Sequence, residues 1–262
     1  MGIKINFINP FGTPAYNELI TETLLPYARR DTELVVTNTT NCPENIDFYY
    51  NKHIVELVVA EDVLKAEADG FDAVIVGCCY DPGVRMAREL VDIPVIGPLE
   101  ASVRFAPYFG HDYVLITDHK KALPYIRDLL KLYGDGQCRD TRCIDWFVAD
   151  MIRDTAGVAR DALAASRKAQ ADTGAEAVIL ACTIISSSLE KWLHDTQAKR
   201  DISILNPNTM ALKMAESLAD MSALGLYNIS RTGYYGKPQD HNAEEFAADR
   251  ERYGHNARTQ RD

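Results

Sequence analysis

The sequence predicts an α/β protein: two similar parallel-sheet (Rossmann-like) domains related by pseudo-twofold symmetry, with the active site in the cleft between them. Three observations carry that expectation. Short apolar runs alternate with stretches of helical spacing along most of the chain, the order that parallel strands covered by helices produce. Two of those runs end alike, "ADGFDAVIVGC" and "DTGAEAVILAC", and each follows a helix that closes on Gly. "INFINP" precedes the first much as "VLITDH" precedes the second, so the chain reads as an internal duplication.

Each element has its own signal. "IKINFINP" reads as a strand, "AYNELITETLLPYA" has helical spacing, and "TELVVTNT" is a second strand. The helix "HIVELVVAEDVLKAEADG" leads into the strand "FDAVIVGC", and "GVRMAREL" is a short helix before the strand "IPVIG". After "PLEASVRFAPYFG" the pattern restarts with the strand "DYVLITD" and the helix "KKALPYIRDLLKLYG". "WFVADMIRDTAGVARDALAASRKAQADTG" is one long helical region, followed by the strand "AEAVILAC". A Ser-rich turn, Ser186 to Ser188, is expected before the helix "LEKWLHDTQ", and "ISILNPNTMALKMAESLADM" ends the fold as strand, turn and helix. From about residue 228 aliphatics become scarce and charges mix, so a solvated polar tail is expected. The expected division is 1–104 plus 206–228 as the first half, 105–205 as the second, and 229–262 as the tail.

Composition narrows the function classes. A chain of 262 residues with 47% hydrophobic content can build a sizeable core. Its formal net charge of −10 provides no basic surface to displace counterions from phosphates, which argues against nucleic acid and anionic membranes as partners. No apolar stretch is long enough to cross a bilayer and "MGIKINFINP" reads as a strand rather than a leader, so a cytoplasmic location is expected. Six cysteines, at 42, 78, 79, 138, 143 and 182, contain no CxxC pair, and reduced thiols are expected in such a setting. Cys138 and Cys143 have no close His pair beside them, so no metal is expected.

The chemistry concentrates at strand ends. Ligands of open α/β sheets bind beyond the carboxyl ends of the strands, where Asn9, Cys78, Thr117 and Cys182 are expected. A helix N-terminus just after a strand directs N–H groups and a positive dipole end at such a thiol, which is expected to lower its pKa. A lone strand-end Cys is ordinarily an inert small hydrophobe, but two at equivalent points of a duplication are not so easily dismissed. Two opposed thiols suit one reaction in particular. One removes a proton from carbon beside a carbonyl, the other delivers a proton to the opposite face, and a stereocentre is inverted with no cofactor. The enolate-like charge calls for donors, and Asn9, Thr117, Thr183 and strand-end backbone amides are candidates. Tyr80 and Cys79 are expected at the substrate pocket, Cys79 chiefly as a packing neighbour. Asp81 is expected to cap the helix after Cys78, Glu100 to orient a loop, and Arg85, His111, His119 and His194 to lie at the surface.

At these residues the chain resembles the aspartate/glutamate racemase superfamily and, within it, the hydantoin racemases, over roughly residues 3 to 225. The resemblance rests on "INP", "VGCCYDPG", "PVIGPLEAS", "YVLITD" and "VILACT". It implies Cys78 and Cys182 as the catalytic acid/base pair, and racemisation or epimerisation of a 5-substituted hydantoin or related amino-acid-derived compound. "ACTII" is closer to the amino-acid racemases of the wider superfamily, which leaves the substrate open. It also implies a small-molecule substrate and a homo-oligomer. Two alternatives differ in outcome. A lyase, decarboxylase, isomerase or hydrolase of the superfamily would use one cysteine as nucleophile or proton donor, and a small-molecule binding protein would show no turnover.

Overall fold

Two four-stranded parallel sheets carry the chain, in the orders β2-β1-β3-β4 and β6-β5-β7-β8, so each half repeats the same path. The computed structural model describes residues 2–134 and 136–254. The first sheet and its helices run β1 (Ile3–Asn9), α1 (Asn17–Leu24), β2 (Thr32–Asn38), α2 (Tyr49–Ala68), β3 (Ala73–Val76), α3 (Val84–Leu90), β4 (Val95–Ile96) and α4 (Pro98–Phe105). The second runs β5 (Tyr113–Thr117), α5 (Ala122–Tyr133), β6 (Cys138–Cys143), α6 (Val148–Met151), α7 (Thr155–Thr173), β7 (Ala177–Leu180), α8 (Thr183–Thr196) and β8 (Ser203–Leu205). After β8, α9 (Pro207–Ala223) returns to pack on β1, β3 and β4, and α10 (Pro238–Tyr253) ends the described chain.

The central strands β3 and β7 read AVIV and AVIL because both faces of each sheet are covered, and every residue in them is buried. Their ends are built alike. Gly77 N–H donates to Ile8 C=O at 2.8 Å and Ala181 N–H to Ile116 C=O at 2.7 Å. The amides of Cys78 and Cys182 then turn back onto the carbonyls two residues upstream, at 2.7 and 2.8 Å. The duplication expected from the sequence is therefore present in topology and in these turns.

Two local expectations are corrected, and two features go beyond what the sequence pattern offered. "CRDTRC" forms the edge strand β6, which the charged composition hides; its Arg142 pairs with Asp140 and Asp172 on the open edge. The single long helix expected from residue 146 is two, α6 and α7. Asp154 leaves helical geometry and its carboxylate accepts from Gly157 N–H at 2.7 Å, capping α7. A side chain at Gly157 would lie 2.2 Å from that carboxylate and would push it from its present position. Ser186 to Ser188 form no turn: α8 starts at Thr183, directly after Cys182. The tail is exposed, as its composition expects, yet it is tied down. Arg231 donates to the carbonyls of Arg88, Glu89 and Val91 at the end of α3, and Lys237 pairs with Asp92 at 2.6 Å. The last part of the expected tail, 255–262, lies outside the described residues. Among the described residues, no helix is long and apolar enough to cross a membrane.

Candidate active site

The two strand-end thiols share one cavity. Cys78, Cys79, Tyr80, Cys182 and Thr183 line it together with Phe11, Ile46, Asp118, Val148 and Ala181, so both halves contribute. The halves are stitched beside it. Thr183 Oγ1 on α8 donates to Gly77 C=O at 2.9 Å, and the Tyr16 hydroxyl donates to Val148 C=O. The cavity encloses about 10 Å³, room for about one water and far below the ~300 Å³ at which small-molecule sites begin. Ile46, in the segment between β2 and α2, and Val148 on α6 help to close it. A larger groove of about 370 Å³ lies between Glu22–Tyr27 and the last turns of α8, at the opposite end of that helix from Cys182.

All six cysteines are free. Cys182 is the N-cap residue of α8, and the N–H groups of Ile185 and Ile184 favour its thiolate. Cys78 receives the Tyr80 N–H at 3.4 Å. The expectation of lowered thiol pKa values is nevertheless overturned. Burial pushes Cys78 and Cys79 well above the usual thiol value and raises Cys182 too, with Asp118 adding to the rise at Cys182, and the backbone donors do not offset this. Both strand-end groups are therefore neutral thiols in the closed cavity.

Asn9 and Thr117 are buried at the corresponding ends of β1 and β5, with donors already engaged. Asn9 Nδ2 donates to Asn17 Oδ1 at 2.7 Å, while its own Oδ1 is buried without a partner. Thr117 Oγ1 donates to Asp118 Oδ1 at 2.9 Å, with Ala181 C=O 3.3 Å away. Neither is among the side chains named above as lining the thiol cavity.

Asp81 caps a different helix from the one expected. Its oxygens accept from Leu99 N–H at 3.1 Å and Glu100 N–H at 3.0 Å, at the start of α4. This couples "DPG" to "PVIGPLE": a side chain at Gly97 would lie 2.5 Å from the Asp81 carboxyl carbon. Burial raises the Asp81 pKa to about 7, against those two N–H groups and Tyr133. Glu100 pairs with Arg88 at 2.7 Å, a structural link. His111 and His194 are exposed as expected, whereas His119 is buried, stacked on Phe147 at 4.7 Å between ring centroids.

His119 belongs to a network that the sequence reading missed. Asp118 accepts from the Tyr80 hydroxyl, Thr117 Oγ1 and His119 N–H, each at 2.9 Å. His119 Nε2 lies 3.2 Å from Asp47 Oδ1. Burial works against a charged His119 ring, but Asp47 and Asp118 outweigh it and raise its pKa. Asp47, Asp118 and His119 have ligand atoms within 4.8 Å of one another, close enough to hold a cation. A cation there would have to displace donors that Asp118 already holds. Asp118 and His119 follow Thr117 directly, so the strand-end rule that singled out Thr117 reaches them as well; Asp47, in an irregular segment, carries no comparable sequence signal.

Comparison with known proteins agrees with this arrangement. A sequence model of the family described as Asp/Glu/Hydantoin racemase matches residues 5–215. The hydantoin racemase of Rhizobium meliloti is 30% identical over 238 residues, covering 90% of this chain and 95% of that protein. The hydantoin racemase of Pseudomonas sp. (strain NS671) is 26% identical over 258 residues, covering 98% of this chain and 99% of that protein. Among solved structures, the allantoin racemase from Klebsiella pneumoniae superposes with a TM-score of 0.79 at 26% identity, covering 90% of this chain and 94% of its own.

Proposed function

Since the chain belongs to the Asp/Glu/hydantoin racemase family and is a racemase, an isomerase, we propose that it inverts the C5 centre of a 5-substituted hydantoin or related amino-acid-derived compound, with Cys78 and Cys182 as opposed acid and base and no cofactor. The observation that carries this reading is that both thiols, at equivalent turns of the two halves, line one small cavity. A hydantoin suits neutral thiols better than an amino acid does. Its C5–H lies between a carbonyl and a ring nitrogen, so the enolate forms more readily than from a free amino-acid carboxylate.

In the proposed cycle one cysteine is first deprotonated to solvent while the loop segment is open. Its thiolate takes the C5 proton, the C–H electron pair moves onto the adjacent carbonyl oxygen, and the opposite thiol delivers its proton to the other face of C5. The two cysteines then exchange states and the next turnover runs in reverse. Because the Thr183, Thr117 and Asn9 side chains and the amides of Gly77, Cys78, Ala181 and Cys182 already donate within the protein, the enolate oxygen depends chiefly on the N–H groups of the first turn of α8.

The test follows single enantiomers of hydantoins in heavy water, with a no-enzyme control, reading optical rotation and loss of the C5 proton signal. Inversion with deuterium uptake and unchanged substrate mass is expected. Cys78→Ser and Cys182→Ser should each lower inversion by about 10²–10⁴-fold, the usual worth of a positioned acid or base. Near-native inversion in both variants would sink the two-base scheme.

A further inference from the structure

A cavity of about 10 Å³ admits no small organic molecule, so the thiols are reached only when part of its wall moves. The segment between β2 and α2, residues 39–48, supplies the buried Ile46 to that wall. The base of the segment is tied to its own half: Thr39 N–H donates to Asn9 C=O at 2.9 Å, and Gly12 N–H to Pro43 C=O at 3.2 Å. The three residues after Ile46 reach the other half instead, at the junction of β5 and α5. His119 Nε2 stands 3.2 Å from Asp47 Oδ1. The Lys121 ammonium lies 4.7 Å from the centroid of the Tyr49 ring and 5.6 Å from that of Phe48, and Tyr49 also meets Tyr125 of α5 at 5.9 Å between centroids. Lys121, Phe48 and Tyr49 are exposed, which puts their cation–π contacts at the weak, easily opened end of the range.

We propose that residues 46–49 are a lid, clasped shut by Lys121 over Phe48 and Tyr49 and by His119 beside Asp47, and that release of this clasp governs access to Cys78 and Cys182. Lys121 then acts on the reaction through the lid, as a positioning residue. The lid depends on the shared cavity and its two thiols, whichever compound is turned over. Ile46 lines both that cavity and the small neighbouring space bounded by Tyr49, Lys121 and Tyr125, so lifting it joins the two. Because the thiols line one cavity, a single opening uncovers both of them. The clasp has two layers of different strength: an inner ion pair that is buried and little screened by salt, and an outer cation held between exposed rings.

The experiment follows N-ethylmaleimide labelling of the native protein at fixed pH and reads each cysteine by peptide mass spectrometry, with Cys138 on β6 as the reference. A thiol beneath a lid reacts at the rate of the uncovered thiol multiplied by the open fraction. Cys78 and Cys182 should therefore label more slowly than Cys138 in the unaltered protein. Lys121→Gln should speed both by about three- to thirtyfold, the worth of one or two exposed cation–π contacts, and leave Cys138 unchanged. Tyr49→Leu, which keeps the net charge, should speed both as well. Lys120→Gln, which removes the same charge beside Asp145 and away from the clasp, should not. All three positions are exposed, and a melting curve checks that each variant folds. Labelling of Cys78 and Cys182 as fast as Cys138 in the unaltered protein, or unchanged in Lys121→Gln or Tyr49→Leu, overturns the lid. So does an equal acceleration at Cys138 or in Lys120→Gln. No substrate is used, so such a result leaves the racemase reading standing, and failure of hydantoin inversion leaves the lid standing.

Discussion

Cys78 and Cys182 show how a residue's address and its electrostatics can point in opposite directions. The strand-end position was legible because an apolar run, a small residue and a turn signal occur twice, and the sequence motif fixes the position without any knowledge of packing. The pKa was not legible, because it depends on how completely the other half covers each sulfur, and that cover comes from Phe11, Ile46, Val148 and the loop residues around them. The consequence is measurable in the pH–rate profile. The reaction needs one thiolate, and burial favours the neutral thiol, so kcat/KM should keep rising with pH past about 8.5, the ordinary thiol value. A plateau reached below about pH 7 would instead mean a thiolate already present in the resting site.

At the scale of single elements, helix ends explain most of what the sequence pattern left undecided. Asp81 sits three residues after Cys78, and local spacing points its cap at α3; the fold turns it onto α4, where Pro98 lacks an N–H and Leu99 and Glu100 need an acceptor. Asp81→Ala should leave those two buried N–H groups unpaired and cost about 1–3 kcal/mol for each, read by urea unfolding. It should also let the "PVIG" turn move relative to the Cys78 turn, which near-UV spectra of the neighbouring Tyr80, Tyr125 and Tyr133 can follow. The missed strand β6 has the same lesson in another form. Edge strands carry charge to prevent further pairing, so Arg139, Asp140 and Arg142 suppress the apolar alternation by which buried strands such as β3 and β7 are recognised.

For the whole molecule, the fold class and the internal repeat were readable because they are written in the order of elements, while the closure of the site was not, since it depends on loops from both halves meeting. After the second sheet is complete, α9 crosses back to pack on α4, β1, β3 and β4 while still touching α8. The polar tail adds an attachment that composition cannot reveal. Its hold depends on Arg231, whose charge meets the carbonyl end of α3, and on the Arg250–Glu61 pair to α2. Arg231→Ala should release the segment from about residue 229 to early proteolytic cleavage while shifting the melting temperature of the remainder little, since α10 buries no residue. The two halves match in topology yet differ at the thiols: Cys182 caps a helix, whereas Cys78 sits in a turn that receives one N–H. Mirror-image substrates have equal free energies, so the equilibrium constant of a racemisation is one and kcat/KM must be identical in both directions. The inequality of the two thiols can then surface only as a compensated difference, with kcat and KM unequal for the two enantiomers by the same factor. Progress curves begun from each enantiomer would read that factor, which measures how far the duplicated halves have drifted apart.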